Sequence, residues 1–162
     1  MKLEIKYSFQ SYDQFSDPEI RKAIDVCEEN RGNSYSPYSG VEVVAAVILE
    51  NGELVTATNQ ENLAFPSGIC AEVNVLSYCG SNKKGLQIKT IVVRAFRKGK
   101  EEIEFISPCG NCRQFMVESE GRQETSIQVV FGSKSKGFYV FDSAAHLLPL
   151  LFSSDTFELL QV

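Results

Sequence analysis

The alternation of β-branched runs with helical patterns constrains the fold of this chain more than any other feature of its sequence. Five runs bounded by turn residues are typical of strands: Val41–Leu49, 53–59, 88–96, 127–131 and 138–141. Helices are predicted over about 17–30, 69–78 and 108–118, with a last short one that ends near Pro149. Such alternation favours one sheet covered on both faces. We therefore expect an α/β fold, a three-layer α/β/α sandwich with a five-stranded mixed sheet.

Local signals set the ends of several of these elements. Ser16 is predicted to cap the first helix in a capping box with Glu19, and Pro18 suits its first turn. Asn51-Gly52 predicts a hairpin turn between the first two strands. No internal repeat, linker or low-complexity stretch interrupts the 162 residues, so a single domain over 1–162 is predicted.

The charge pattern argues against a polyanionic partner. The formal net charge is -5 at pH 7, and the basic residues are scattered along the chain. Binding of DNA or RNA requires a concentrated basic surface, because phosphate contacts supply most of the affinity. We therefore predict that no nucleic acid is bound and that the ligand is a small, neutral molecule.

The lengths of the apolar runs and the number of cysteines indicate the cellular compartment of the protein. No run approaches the roughly 20 apolar residues that span a bilayer, and the first residues lack the apolar core of a secretion signal. We expect no membrane partner and a cytoplasmic location. An odd number of cysteines without such a signal argues against a disulfide framework. The five thiols are then reduced and available to bind metal or react: Cys27, Cys70, Cys79, Cys109 and Cys112.

Three of these cysteines lie where helices are predicted to begin. Cys109 and Cys112 form a C-x-x-C pair directly after Pro108, and Cys70 precedes another predicted helix. Unpaired backbone N–H groups and the helix dipole favour thiolate over thiol at such positions. Two helix starts that meet would direct three thiolates at one ion. Zinc accepts this ligand set, and a fourth position open to water is typical of catalytic sites.

The C-x-x-C pair alone is ambiguous between zinc, redox chemistry and chance. A closed structural zinc site is the other interpretation of the three cysteines. Such a site needs a fourth ligand, which Cys27 or Cys79 could supply.

Glu72 adds an acid–base group to the cysteine pattern. It follows Cys70 by two residues, close enough for its carboxylate to reach a water molecule on an ion at this site. A glutamate in this place could take a proton from the water and deliver it to a ring nitrogen and a leaving amine. A glutamate that is not a ligand, together with a P-C-x-x-C element, is known from zinc deaminases.

Further motifs extend this pattern over most of the chain. In order they are Tyr35-Ser36-Pro37-Tyr38-Ser39, Asn59-Gln60-Glu61-Asn62, Cys70-Ala71-Glu72, S-P-C-G-N-C-R-Q at 107–114 and Leu147-Leu148-Pro149. With them the chain resembles the small, homotetrameric cytidine deaminase family across about 20–153. The resemblance implies a nucleoside substrate, pyrimidine salvage, a homotetramer, and zinc held by Cys70, Cys109 and Cys112, with Glu72 as the catalytic proton carrier.

The resemblance also implies which residues hold the substrate. Asn59 and Glu61 would contact the ribose 3′-hydroxyl, and backbone groups near Ala71 and Ser107 would contact the base. Phe152 matches a phenylalanine that packs near the base, commonly in a neighbouring subunit's site.

The chain departs from the family pattern at several positions. Val73 replaces an arginine that helps to offset the charge of three thiolates, and Arg113 could take over part of this compensation. Val41 replaces a phenylalanine near the base, Val44 fills a glycine position, and Phe65 replaces a tyrosine whose hydroxyl can contact a 5′-hydroxyl. Leu63 lies in the same altered segment.

These departures leave two alternatives open. One is deamination of a modified cytosine nucleoside, as in the blasticidin-type deaminases, which also carry an aliphatic residue after C-A-E but lack the acid of the N-x-E pair. The other is a zinc- or nucleoside-binding protein without turnover. The sequence does not distinguish ribose from deoxyribose as the sugar.

Overall fold

The computed structural model describes residues 4–152. Within this range one six-stranded sheet has the order β1-β6-β5-β4-β2-β3. Its strands are β1 (Ser8–Gln10), β2 (Val41–Leu49), β3 (Leu54–Thr58), β4 (Ile88–Arg97), β5 (Gln128–Ser133) and β6 (Gly137–Phe141). Strands β4 and β5 are parallel and all other neighbours are antiparallel, so the sheet is mixed as predicted.

Helices cover both faces of this sheet, which confirms the three-layer α/β/α prediction. The described α-helices are α1 (Pro18–Asn30), α2 (Ala71–Asn82) and α3 (Gly110–Gly121), and a 3-10 turn spans Ala144–Leu147. Helix α1 packs on one face, and α2 and α3 pack on the other. In α1 the apolar positions Ile20, Ala23, Ile24 and Cys27 recur at helical spacing and are all buried.

The central strands are apolar on both faces because each face is covered. In β2 the side chains of Val44, Ala46 and Ile48 pack on the α1 side. The alternate residues Ala45 and Val47 pack against α2 and α3, as the period of two along a strand requires. The sheet therefore supports α2 and α3 on the same face, and the first residues of these two helices lie close to each other.

The structure corrects the predicted number of strands and several helix ends. Strand β1 pairs with β6 at the sheet edge and raises the number of strands from the predicted five to six. Asp17, not Ser16, caps α1, because its side chain accepts a hydrogen bond from the Glu19 amide at 2.8 Å. Pro18 is the first residue of α1, as predicted.

The second and third helices begin later than predicted. Helix α2 begins at Ala71 with Cys70 as its N-cap, and α3 begins at Gly110 with Cys109 as its N-cap. Both helices also run a few residues further than predicted, to Asn82 and Gly121. Among residues 4–152, no helix is long and apolar enough to cross a membrane. The predicted single domain over 1–162 extends beyond the described residues at both ends.

Candidate active site

Three thiols meet where α2 and α3 begin. The Sγ atoms of Cys70, Cys109 and Cys112 all lie within 4.8 Å of one another. The distance from Cys109 to Cys70 is 4.0 Å, and that from Cys109 to Cys112 is 3.2 Å. The structure thus brings together the three cysteines that the sequence placed at helix starts. The other two cysteines, Cys27 and Cys79, lie buried in the two apolar cores.

The local backbone explains why these three side chains converge. Cys70 and Cys109 both occupy N-cap positions with extended backbone, so each side chain lies at the start of its helix. Cys112 lies in the first turn of α3, and its amide donates a hydrogen bond to the Cys109 sulfur at 3.4 Å. Helix N-termini carry unpaired N–H groups and a partial positive charge. The two helix starts therefore stabilise negative charge on the sulfur atoms between them.

The thiols also influence one another's protonation. The hydrogen bond from Cys112 lowers the pKa of the Cys70 thiol to about 7. The same bond raises the pKa of Cys112, because the donor must keep its proton. A thiol with a lowered pKa is readily converted to the thiolate that binds a metal ion.

Glu72 lies beside this thiol cluster in the first turn of α2. The residue is only 4% exposed, and burial raises the pKa of its carboxyl group. Among the described residues it is the buried acid next to the three sulfurs. A carboxyl group with a raised pKa takes up a proton more readily than an ordinary carboxylate, which suits a group that transfers protons.

A short ladder of backbone hydrogen bonds places two more predicted site residues next to Cys70. Gln60 pairs with Ile69 through two hydrogen bonds of 2.9 Å, and Glu61 donates its amide proton to the Tyr35 carbonyl at 2.8 Å. Gln60 thereby joins the segment before Cys70 to the Tyr35–Ser39 segment. Asn59 and Glu61 are the neighbours of Gln60 on either side in this ladder, and their contact with a substrate stays a prediction.

The structure shows that both side chains already hold the backbone of the neighbouring segment. The Asn59 amide accepts from the Val43 N–H at 2.8 Å and donates to the Val41 carbonyl at 2.9 Å. The Glu61 carboxylate accepts from the Tyr38 N–H at 2.9 Å and from the Ser39 N–H at 3.3 Å.

Ser39 is the residue here that the sequence did not single out. Its hydroxyl donates to Glu61 and accepts from the Val41 amide at 3.0 Å. The Ser39 hydroxyl, followed by the Tyr38 and Ser39 amides, lowers the pKa of Glu61. The only sequence signal was the position of this serine at the end of the Tyr35–Ser39 motif.

Comparison with known proteins identifies the family. Residues 18–128 match the family model described as "Cytidine and deoxycytidylate deaminase zinc-binding region". This match covers more than half of the chain.

The chain belongs to this deaminase family.

Relatives of known name agree with this assignment. A protein named "Probable cytidine deaminase" from Dictyostelium discoideum is 34% identical over 139 residues, which are 85% of this chain and 86% of that protein. A cytidine deaminase from Sporosarcina psychrophila is 31% identical over 138 residues, 85% of this chain and 93% of that protein. The crystal structure of cytidine deaminase from Burkholderia pseudomallei superimposes with a TM-score of 0.66 at 28% identity, over 81% of this chain and 97% of that one. The chain is, like the members of this family, a hydrolytic deaminase.

The thiol cluster fits the metal that the family model names. Zinc binds thiolates at about 2.3 Å in tetrahedral geometry, which separates the sulfur atoms by about 3.8 Å. The sulfur separations of 3.2 and 4.0 Å bracket that value. Three soft thiolate donors at two helix N-termini match the preference of zinc for cysteine ligands. The residues present therefore fit a metal ion in this deaminase.

Arg113 holds the loop before α3 rather than the sulfur atoms. Its guanidinium donates to the carbonyl oxygens of Pro108 at 2.9 Å and Leu147 at 3.1 Å, and to the Ser107 hydroxyl at 2.6 Å. Within the described residues its hydrogen bonds end on oxygen. Arg113 thus fixes Pro108, the residue before Cys109.

Ala71 and Phe152 occupy different surroundings. Ala71 is fully buried as the first residue of α2, between the ligand candidate Cys70 and Glu72. The Phe152 carbonyl accepts from Gln114 Nε2 at 2.9 Å, and the residue is 59% exposed. Its contact with the base in a neighbouring subunit's site stays a prediction.

Proposed function

We propose that this protein catalyses the zinc-dependent hydrolytic deamination of cytidine and deoxycytidine to uridine and deoxyuridine, with release of ammonia, in pyrimidine salvage. The observation that carries the proposal is the buried Glu72 carboxyl group beside three converging thiols. The names of the relatives that match most of the chain support the choice of a cytosine nucleoside.

The metal ion in this proposal is zinc, held by Cys70, Cys109 and Cys112. When bound, zinc supplies Lewis acidity, which lowers the pKa of a water molecule toward neutrality and makes it a nucleophile. The donor set supports this choice, because three thiolates select zinc over the hard cations magnesium and calcium.

Glu72 carries protons through the reaction. Its carboxylate takes a proton from water as the water oxygen forms a bond to C4 of the cytosine ring, and it protonates the ring nitrogen N3. Glu72 then takes the proton of the new hydroxyl group on C4 and delivers it to the exocyclic amine. The C4–N bond breaks, ammonia leaves, and a carbonyl group forms at C4 while N3 keeps its proton. The raised pKa of the carboxyl group supports both uptake and delivery.

The remaining site residues orient the nucleoside. We assign Asn59 and Glu61 to the sugar, where the free N–H of the Asn59 amide and the Glu61 carboxylate can meet its hydroxyl groups. Backbone groups near Ala71 and Ser107 are assigned to the base. The contacts of Glu61 with the Tyr38–Ser39 backbone support this role, because they fix the carboxylate before the sugar arrives.

Assembly and location complete the proposal. We propose a homotetramer, as the resemblance in sequence implies, and exposed apolar side chains such as Leu63 and Phe65 support burial against other subunits. Phe152 would then contact the base in a neighbouring subunit's site. We propose a cytoplasmic location, which is supported by the five unpaired cysteines.

Ammonia release by the zinc-loaded protein tests the substrate class. Cytidine, deoxycytidine, a C5-modified cytidine and adenosine are compared at equal concentration. The proposal expects release from the first two and none from adenosine. Absence of release from every cytosine nucleoside, with zinc bound and the fold intact, would overturn it.

A modified cytosine nucleoside is the second candidate substrate. It is favoured by the departures from the family pattern, among them Phe65, whose ring lies edge-to-face against Tyr38 with centroids 6.4 Å apart. Phe65 has no hydroxyl group to offer a ligand, and Val41 leaves more room than a phenylalanine would. Release that is faster from the C5-modified nucleoside than from cytidine in the same comparison would establish this candidate.

A further inference from the structure

The side chain of Arg113 connects two parts of the chain that are far apart in sequence. Its Nε donates to the Pro108 carbonyl at 2.9 Å, and its Nη2 donates to the Ser107 hydroxyl at 2.6 Å. Its Nη1 donates to the Leu147 carbonyl at 3.1 Å, 34 residues further along the chain. All three nitrogen atoms of one guanidinium thus hold the segment before α3 and the last 3-10 turn together.

The segment before α3 has no regular structure of its own. Residues 105–109 form neither helix nor strand, and both Ser107 and Cys109 are exposed. An irregular segment on the surface keeps one conformation only where other groups hold it, because a free backbone gains conformational entropy. The bonds from Arg113 therefore restrain the three residues that lead into α3, which are residues 107–109.

The segment 107–109 has two tasks in the proposed deamination, and the inference rests on that proposed function. Cys109 is assigned to the metal, and a backbone group near Ser107 is assigned to the base. Groups that hold a metal ligand in place affect metal binding, and their loss commonly weakens it by about 10–100-fold. The position of this segment should therefore affect both metal binding and base binding.

The bond to Leu147 extends the restraint toward the end of the described chain. Leu147 is buried at the end of the 3-10 turn and lies five residues before Phe152. Gln114, the neighbour of Arg113 on α3, donates to the Phe152 carbonyl at 2.9 Å. Two adjacent side chains of α3 thus hold both ends of residues 147–152.

The partners of Arg113 indicate that it contributes geometry rather than charge. All three acceptors are uncharged oxygen atoms, and among the described residues none of its hydrogen bonds ends on a sulfur atom or a carboxylate. The Nε–H and Nη2–H groups point the same way along one edge of the planar guanidinium, which suits two acceptors in neighbouring residues. A lysine ammonium carries the same charge at a single point and cannot reproduce these bonds.

We propose that Arg113 is a positioning residue of this deaminase, which fixes the segment 107–109 for metal binding and base binding. The sequence alone suggested that Arg113 offsets the charge of the thiolates. The two roles differ in whether lysine can replace the arginine. Lysine preserves an effect of charge, whereas it abolishes an effect of the guanidinium geometry.

Arg113→Lys and Arg113→Gln separate geometry from charge. Lysine loses only the planar set of donors, whereas glutamine loses the charge as well. We expect both variants to bind zinc about tenfold or more weakly than wild type, measured by competition with a chromophoric zinc chelator. Wild-type zinc affinity in Arg113→Lys, with weak binding in Arg113→Gln alone, would show that charge is responsible and would overturn the proposal.

Base binding is measured on the same variants at matched zinc content. We expect the KM for cytidine to rise about tenfold or more, with a smaller change in kcat, because the segment 107–109 is assigned to the base and Glu72 to the proton transfers. A side chain that only stabilises the fold would lower the free energy of unfolding and leave the KM of the folded variants unchanged. That result would also overturn the proposal.

Ser107→Ala tests one bond of Arg113 at an exposed position, where the fold should tolerate the change. The alanine removes the hydroxyl acceptor and keeps the backbone group assigned to the base. We expect the KM for cytidine to rise about threefold, and to rise no further when Ser107→Ala is added to Arg113→Lys, where the bond is already lost. An unchanged KM in Ser107→Ala, or additive effects in the double variant, would contradict the proposal.

Arg122→Lys is the matched control, because Arg122 is an arginine at the other end of α3. Its described hydrogen bonds end on Glu118 and Ser119 of the same helix. We expect this variant to bind zinc and cytidine as wild type does, and losses equal to those of Arg113→Lys would overturn the proposal. Absence of deamination by wild type would instead overturn the proposed function, and the zinc competition would still decide the role of Arg113.

Discussion

At the scale of single residues, the Ser39 hydroxyl is the main cause of the lowered pKa of Glu61. Its hydrogen bond lowers the pKa of this carboxyl group. Replacement of Ser39 by alanine should therefore raise the pKa of Glu61 toward its ordinary value, and NMR titration of the Glu61 side-chain carbonyl carbon measures this directly. A carboxyl group with a lowered pKa in the folded state stabilises the fold above the usual carboxyl range, and this contribution is lost as the pH falls through the lowered value.

Ser36 provides the control for the Ser39 substitution. It lies in the same motif and is 3% exposed, and its hydroxyl has no hydrogen-bond partner among the described residues. Ser36→Ala should leave the Glu61 titration unchanged. If both alanine variants shift the titration equally, general loosening of the segment rather than the Ser39 bond is responsible.

Val73 is the residue whose replacement should make the enzyme faster. It lies in the first turn of α2, one residue after Glu72, where the family carries an arginine. The hydrogen bonds of Arg113 end on oxygen atoms rather than on the sulfur atoms. Val73→Arg should raise the rate of cytidine deamination, because less negative charge at the sulfurs makes the metal a stronger acid toward water.

A steady-state comparison at equal zinc content measures the effect of Val73→Arg. Val73→Met is the control for side-chain length without charge, and it should leave the rate near that of wild type. An unchanged or lower rate in Val73→Arg would contradict the charge argument.

The sequence predicted the site best where a short motif by itself fixes the positions of its side chains. The convergence of the three cysteines followed from spacing and helix starts, because an N-cap and a first turn fix where the side chains lie. The contacts of Asn59 with Val43 and of Glu61 with Ser39 could not be predicted in this way, since they join residues 16 and 22 positions apart. Long-range contacts of this kind depend on the packed sheet.

At the scale of elements, the N-cap of α1 is a residue at which the sequence prediction and the structure differ. The pattern predicts Ser16, whereas the structure gives the bond from the Glu19 amide to Asp17. Asp17→Ala should lower the free energy of unfolding by about 0.5–2 kcal/mol, as expected for the loss of an N-cap side chain. Urea unfolding of the variant and the wild type measures this change in the free energy of unfolding.

The matched control is Ser16→Ala. Ser16 is exposed and lies one residue before the cap, so its replacement should change the free energy of unfolding by less than about 0.5 kcal/mol. A larger loss for Ser16→Ala than for Asp17→Ala would show that the predicted capping box forms in solution.

Strand β1 was missed for a physical reason. Its three residues, Ser8 to Gln10, are too few to show an alternating pattern, and each is exposed or half-buried. The strand exists because β6 offers a free edge and because the Phe9 ring packs against Tyr139 with centroids 5.0 Å apart. Such pairing depends on the assembled sheet and leaves no pattern in the sequence. The longer strands β2 and β4, in contrast, show an apolar pattern from which a strand can be predicted.

At the scale of the whole molecule, a buried guanidinium joins one helix layer to the sheet. Arg94 on β4 is 1% exposed and binds Glu102 at 2.6 Å and the Ile24 carbonyl of α1 at 2.7 Å. Without Glu102, the buried charge keeps only the half-exposed carboxylate of Glu28 at 3.4 Å as an ionic partner. Glu102→Ala should therefore lower the free energy of unfolding by about 3 kcal/mol, the low end for a broken buried pair, measured by chemical denaturation.

Arg94→Met is the comparison for this network. It removes the buried charge and keeps much of the side-chain volume. Of the two carboxylates that it leaves, that of Glu28 is half exposed to water, and that of Glu102 still accepts from the Lys134 amide at 2.9 Å. The loss of stability should be smaller than in Glu102→Ala. Equal losses in the two variants would mean that packing rather than charge determines the stability of this region.

The central claim is that Glu72 moves the protons of a deamination at a metal held by three cysteines. The measurement that tests it most directly is uridine formation from cytidine by wild type and Glu72→Gln at matched zinc content. We predict that Glu72→Gln keeps its zinc and its fold but loses turnover by at least a thousandfold, since the amide cannot carry a proton. Turnover that survives in Glu72→Gln, or a variant that loses zinc and unfolds, would contradict this account.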